Sequence, residues 1–264
     1  MILPFVTLRP RQVRKPALFC LGLWFVAVFA LGEPGARIFF PHGGKTLGAL
    51  RVVVLNCAGG DTGAIKEALA VDADLWLLQE TTGPKGMRKV LNEVDPSLQL
   101  VADFDACLVA RKGLTFVPRK GNSAAGDFVW NGETIRVVSL RLIPPTFRLD
   151  WWDPECHRQY QVDMRDRRQQ MQEILDGSNV LDHPLAILGG DFNSTNRPAF
   201  GALMPGWREA DRTAGRGWPG TGTNDYPLAR VDNLWASPRI TILQSFVVPT
   251  QHSDHRMVIT DLKL

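Results

Sequence analysis

Residues 186–194 read Ala-Ile-Leu-Gly-Gly-Asp-Phe-Asn-Ser, an apolar run that ends in two glycines and a carboxylate–aromatic–amide triplet. A short apolar run meeting polar residues describes a buried strand that reaches the edge of a sheet. Residues two apart in extended backbone share a face, so Asp191 and Asn193 point into one site while Phe192 packs behind. Gly189 and Gly190 leave room for a close neighbour or a ligand. A carboxylate beside an amide donor can activate a water and hold a phosphoryl oxygen. An Asx turn closing the strand accounts for the same residues, so their chemical meaning depends on the rest of the chain.

Upstream, Leu50–Asn56 and Leu75–Gln79 are apolar runs that end at Asn56 and Glu80, with a short helix expected over 63–71 between them. Further strands are expected near 106–110, 115–117, 128–130, 135–140, 186–190, 230–235, 240–248 and 257–262. Residues 158–175 mix long polar side chains with Tyr160, Met164, Met171 and Leu175, the pattern of an amphipathic helix. Strands interleaved with helices predict a layered α/β domain. The close spacing between residues 106 and 140 predicts hairpins, hence mixed sheets.

Four of the apolar strands meet a hard oxygen or nitrogen donor at one end: Asn56, Glu80, Asp191 with Asn193, and Asp254 with His255. Carboxylate and amide oxygens suit Mg²⁺, which takes one or two carboxylates and keeps several waters. Glu80 is the best single candidate ligand, with Asn56 and Asp254 assisting. Asp232, in Arg-Val-Asp-Asn-Leu-Trp at 230–235, can orient a histidine and stabilise its protonated form; a surface Asp in an edge strand is the equal alternative.

In this order, Asn56, Glu80, Gly189–Ser194, Val231-Asp232-Asn233 and Ser253-Asp254-His255 together resemble the endonuclease/exonuclease/phosphatase superfamily. That group includes deoxyribonuclease-I-like nucleases, abasic-site endonucleases, neutral sphingomyelinases and inositol-polyphosphate 5-phosphatases. The resemblance covers residues 50–264 and implies a four-layer α/β sandwich of two mixed sheets flanked by helices. It implies Glu80 as the principal metal carboxylate, Asn56 at the end of the first strand, Asp191 as the group aligning the water and Asn193 as the phosphate-binding amide. It further implies Asp232 as partner of a catalytic His255, and Asp254 as an acidic neighbour of the metal, Mg²⁺ or alternatively Mn²⁺. Two departures stand out. Arg141 occupies a place where nuclease-like and sphingomyelinase-like members often carry His, and Asn233 follows the Asp where His is common. Arginine cannot exchange protons near neutral pH but binds phosphate oxygens through its fork of donors.

Asp150-Trp151-Trp152-Asp153-Pro154 leads into His157, Arg158, Tyr160, Arg165, Arg167 and Arg168. Both tryptophans are expected to pack under the helix with the arginines on its solvated face; the alternative is a substrate-side loop, with Arg165 and Tyr160 as substrate-binding candidates.

The N-terminus differs from the rest. Arg9, Arg11, Arg14 and Lys15 precede an uncharged stretch at 17–32, so residues 1–32 read as a signal anchor or signal peptide and 33–49 as a linker. The positive-inside rule then puts the catalytic domain outside the cytoplasm, membrane-anchored or secreted. A buried N-terminal core helix is the competing reading. The chain's 30 basic and 27 acidic residues give +3, but four of the basic residues lie in the leader, which leaves the domain near neutral. Composition therefore gives no support to a generic DNA binder. Cys20, Cys57, Cys107 and Cys156 show no zinc-type spacing, and one disulfide among the last three is open. The expectation is a metal-dependent phosphoesterase, most simply a phosphodiesterase, acting on a nucleic acid, a phospholipid headgroup or a small diester. Its rival is a membrane-tethered binding protein that kept the scaffold without turnover.

Overall fold

The computed structural model describes residues 18–24, 40–146, 148, 150 and 152–264. In chain order the elements are β1 (Leu50–Asn56), α1 (Thr62–Leu69), β2 (Leu75–Gln79), α2 (Gly83–Val94), β3 (Gln99–Ala102), β4 (Ala106–Ala110), β5 (Leu114–Phe116), β6 (Ser123–Trp130) and β7 (Glu133–Arg141). After these come α3 (Pro154–Ser178), β8 (Ala186–Asp191), α4 (Arg197–Gly201), β9 (Arg208–Glu209), α5 (Ala210–Ala214), β10 (Gly215–Arg216), β11 (Asp232–Ala236), β12 (Thr241–Val248) and β13 (Met257–Lys263).

The strands form two sheets, ordered β10-β12-β13-β1-β2-β4-β3 and β5-β6-β7-β8-β11-β9. Both are mixed. In the first, β1 runs parallel to β2 and antiparallel to β13. In the second, β8 runs parallel to β7 and antiparallel to β11. Each sheet thus has a parallel pair beside a returning strand.

Why the central strands lack polar alternation is visible in their packing. In β1 and β2, Val52, Val54, Leu75 and Leu77 face the second sheet, meeting Val137, Ile187 and Leu234. Val53, Leu55, Trp76 and Leu78 face outward, under Ala64, Ile65 and Ala68 of α1 and Met87 and Leu91 of α2. On the far side, Val138, Leu140 and Leu188 lie under Met171, Ile174 and Leu175 of α3. Both sheets are covered on both faces, which yields the expected four-layer sandwich.

Local signals set the helix ends. Asp61 caps α1 by accepting from the Ala64 amide at 3.0 Å. Asp153 and Pro154 start α3 and Asn179 in the left-handed region ends it, so this helix outruns the expected 158–175 at both ends. α2 is a helix the sequence pattern does not predict, because Met87, Val90 and Leu91 form only a narrow apolar stripe in a basic, polar segment. β6 starts five residues before the expected 128–130, since Ser123–Gly126 are small residues buried by neighbours rather than by their own bulk.

Two expectations around α3 are corrected. Trp152 is 85% exposed and does not pack under the helix; Trp151 lies outside the described residues. Arg167 sits not on the solvated face but on the buried one, in line with Met164, Met171 and Ile174, because its position falls on the core stripe of the helix. All four cysteines are free thiols, with Cys57 and Cys107 buried as small core residues.

Most of the 17–32 segment lies outside the described residues; Leu18 to Trp24 are helical and exposed. Among the described residues no helix is long and apolar enough to cross a membrane. The described part of the expected linker is fastened to the first sheet: His42 stacks on Phe246 and the Thr46 amide donates to Asp261.

Asp261 itself is buried against Arg51, whose Nε and Nη2 donate to it at 2.6 and 2.9 Å. Burial alone would raise its pKa, but the bonds from Arg51, Thr46 and Gln244 outweigh burial and hold it below the ordinary 3.8. A carboxylate depressed in the native state gives its full stability above its unfolded pKa and loses it as pH falls through the native one. The urea midpoint is therefore expected to drop as pH falls from about 5 into the range below the ordinary carboxylate pKa, and Asp261→Asn to flatten that limb. An equally steep limb in the variant would refute this linkage.

Candidate active site

The parallel pairs β1–β2 and β7–β8 end at one edge of the sandwich, and the antiparallel strands β11 and β13 begin there. Register places Asp232 opposite Asp191 and Arg141 opposite Asp191 on its other side. Asn56 ends β1, Glu80 follows β2, and His255 stands two residues before β13. Seven predicted residues, Asn56, Glu80, Arg141, Asp191, Asn193, Asp232 and His255, therefore meet across the seam between the sheets.

Asn56 is the hinge of this cluster. Its Nδ2 donates to Glu80 Oε1 and to Asp191 Oδ2, both at 3.0 Å, while its Oδ1 accepts from the Ala58 amide. Glu80 Oε2 accepts from the Gly59 amide at 2.8 Å, and Arg141 Nη2 lies 2.7 Å from Glu80 Oε1. Burial works against the Glu80 charge, yet the Asn56 bond and Arg141 bring its pKa below the ordinary value.

Asn193 turns back on Asp191: its amide donates to Oδ1 at 2.8 Å, and its Nδ2 reaches Oδ2 and the Leu142 carbonyl at 2.9 Å. Ala58, Glu80 and Asn193 all have φ near +50°, a conformation costly for residues with a side chain. Its concentration here marks a site where geometry is held against local preference.

Asp232 Oδ2 lies 2.8 Å from His255 Nδ1, with Asp232 fully buried. Burial disfavours the imidazolium, but Asp232, Asp191 and Asp254 more than compensate, and the His255 pKa is raised to about 10. Asp191 is pushed up to about 7, first by burial and then by Asp232. Donor atoms of Asp191, Asp232 and His255 fall within 4.8 Å of one another. A histidine that keeps its proton near neutrality is a poor metal ligand, so this trio is better described as an acid–base group than as a cation site. Glu80, linked to Asp191 through the Asn56 amide, presents the hard oxygens that suit a divalent cation.

Three predicted residues lie elsewhere. Asp254 is exposed and faces a cleft with Asp61, Asp225 and His252, beside His255 but without a side-chain bond to the cluster among the described residues. Tyr160 and Arg165 are on the exposed side of α3, Arg165 beside Asp166, because the helix buries the Met164–Met171 face instead.

The structure also supplies residues that sequence reasoning missed. Asp105 binds Arg141 Nη1 through its carboxylate at 3.0 Å and the Glu80 amide through its carbonyl at 2.8 Å. Ser253 Oγ donates to the Asn56 carbonyl at 2.7 Å, and Thr221 Oγ1 accepts from the Asp232 amide at 3.0 Å. Only Ser253 lay in a quoted motif; Asp105 and Thr221 are in loops whose place depends on the tertiary fold.

The profile of the endonuclease/exonuclease/phosphatase family matches residues 53–255. The chain belongs to this family. Its members hydrolyse phosphate esters, and the chain is accordingly a metal-dependent phosphoester hydrolase. Solved structures with the same fold include an endonuclease/exonuclease/phosphatase family protein from Bacteroides thetaiotaomicron, 14% identical, TM-score 0.63, covering 81% of this chain and 97% of that one. A humanized D. rerio TDP2 is 15% identical, with TM-score 0.61 and coverage of 82% and 100%. A mannosyl-6-phosphatase from Bacteroides thetaiotaomicron is 15% identical, with TM-score 0.58 and coverage of 81% and 100%. No curated protein sequence matches the chain.

Proposed function

We propose that this family member hydrolyses a phosphodiester with Mg²⁺, Mn²⁺ serving as a substitute, outside the cytoplasm. The observation that carries the mechanism is the Asp232–His255 pair set against Asp191 and Asn193 at one sheet edge. Glu80, with Asn56 beside it, would hold the metal, which when bound would supply Lewis-acid polarisation of the phosphoryl group.

The chain's own residues do the rest. Asp191, with a pKa near 7, takes a proton from the attacking water at an oxygen already steadied by Asn56 and Asn193. His255, kept protonated by Asp232, presents Nε2 to a phosphoryl oxygen as negative charge builds. The Arg141 fork, braced on Glu80 and Asp105, offers a fixed cation for the substrate phosphate in place of a proton-exchanging His. A small or lipid-headgroup diester is favoured over nucleic acid by the near-neutral domain. The basic flank and apolar 17–32 segment support a membrane tether with the site on the outer side.

The test is a panel on the full chain in detergent: bis(4-nitrophenyl) phosphate, plasmid DNA, RNA, sphingomyelin and phosphoinositides, after chelation and with Mg²⁺ or Mn²⁺ restored. Turnover of at least one diester that needs the metal and disappears in Asp191→Ala and His255→Ala is expected. Metal binding without turnover on any of them would instead favour the tethered binding protein.

A further inference from the structure

The departure at Asn233 has a structural counterpart. Along β11 side chains alternate, so Asp232 serves the reaction centre and Asn233 faces away from it. Asn233 Oδ1 accepts from Arg230 Nε at 2.8 Å, with both residues more than nine-tenths buried. Arg230 Nη1 donates to the Pro219 carbonyl at 3.0 Å, and its buried Nη2 has no hydrogen-bond partner among the described residues.

Arg230 lines a cavity of about 210 Å³ together with Thr195, Arg197, Trp218 and Leu228. The cavity shares no lining residue with the reaction centre, but its walls continue the same two chain segments. Thr195 is two residues beyond Asn193, and Gly220 in its wall precedes Thr221, whose hydroxyl holds the Asp232 amide. Glu209 and Asp211 neutralise the two arginines but do not line the cavity. Arg197 Nη1 is 2.8 Å from Glu209 Oε1, and Arg230 Nη1 is 3.5 Å from Asp211 Oδ1. The carboxylates fix the guanidinium groups from outside the cavity lining, which itself carries two arginines and an indole. Planar, pre-oriented guanidinium groups are the side chains best matched to phosphate. The volume is below the roughly 300–1,000 Å³ of pockets that enclose whole drug-sized ligands, so it suits one group of a larger molecule.

We propose that this cavity is a subsite for a second phosphate group of the substrate, next to the scissile one. The proposal rests on the phosphodiesterase reading above, and it makes the substrate a diester that carries a further phosphate. Arg197 and Arg230 bind that group and Asn233 positions Arg230.

Two measurements test it. In the first, inorganic phosphate is titrated into the full chain without added metal, with tryptophan fluorescence as the signal, alongside Arg197→Ala, Trp218→Phe and His255→Ala. A saturable change is expected in the parent and in His255→Ala, at least about ten-fold weaker binding in Arg197→Ala, and loss of the signal in Trp218→Phe. A response that disappears with His255→Ala but survives Arg197→Ala places the anion in the reaction centre and overturns the subsite, as does the absence of any saturable response in the parent. If Arg197→Ala does not fold by circular dichroism, Arg197→Lys takes its place, since it keeps the charge but loses the fork.

In the second, kcat/KM is compared for the 4-nitrophenyl diester of thymidine 5′-phosphate with and without a 3′-phosphate. The parent should prefer the 3′-phosphorylated compound, and that preference should fall about ten-fold in the Arg197 variant. Equal preference in parent and variant overturns the proposal. If neither compound nor any diester of the panel is cleaved, the phosphodiesterase reading fails, while the phosphate titration still decides the cavity.

Discussion

Asp191→Asn is expected to lower kcat by about 10³-fold while leaving the protein at least as stable as the parent. Asp191 is 1% exposed, and burial together with Asp232 raises its pKa to about 7. An acid whose native pKa lies above its unfolded value costs stability increasingly as pH rises from the unfolded value to the native one, and by a constant amount beyond it. Asparagine keeps the shape and one acceptor oxygen, which can serve the Asn56 and Asn193 Nδ2 donors; the Asn193 amide loses its acceptor, a cost of about 1–2 kcal/mol that removal of the buried charge offsets, and the new side chain cannot take a proton. The urea midpoint of Asp191→Asn at pH 8 should therefore equal or exceed that of the parent, while turnover of any diester the parent cleaves collapses. The parent's own rate should rise with pH through about 7 as Asp191 loses its proton, and fall near about 10 as His255 loses its own. A variant that kept a tenth of parental kcat would remove Asp191 from the role of base.

Gly190→Ala should be the most destabilising single substitution in the motif, by about 4 kcal/mol. Gly190 has φ +147°, and a Cβ there would lie 1.9 Å from the Leu140 carbonyl oxygen and 2.9 Å from the Leu140 carbonyl carbon. Both clashing atoms are backbone in the paired strand, where Leu140 is the partner of Gly190, so no side-chain rotation relieves the overlap. Relief requires β7 and β8 to separate just where they deliver Arg141 and Asp191. Denaturant unfolding and soluble yield check this directly. A loss below about 1 kcal/mol would mean that the strand ends adjust locally, and the rigidity assigned to this edge would be wrong.

Much of the architecture was legible because the central strands are covered on both faces. β1, β2, β4 and β8 are short apolar runs ended by polar residues, and their boundaries matched the structure to within one residue. The elements that were misjudged draw their burial from neighbours. Ser123–Gly126 carries no apolar bulk, α2 buries a narrow stripe, and Arg167 occupies a core position that composition assigns to solvent. For the candidate site, residues next to central strands could be named in advance, since strand order brings strand ends to a common edge. Asp105 and Thr221 could not, because they act from loops, on partners 36 and 11 residues away, and loop placement is not set by the local pattern.

The sequence by itself determined that an α/β core would present Asn56, Glu80, Asp191, Asn193, Asp232 and His255 from strand ends, since apolar runs fix where strands begin and stop. Only the tertiary structure decided how those groups are paired. Asn56 links Glu80 to Asp191, Arg141 is clamped between Glu80 and Asp105, and Asn233 turns from the reaction centre to hold Arg230. Pairing depends on strand register and on contact across two sheets, and neither is encoded in the local pattern of any one strand.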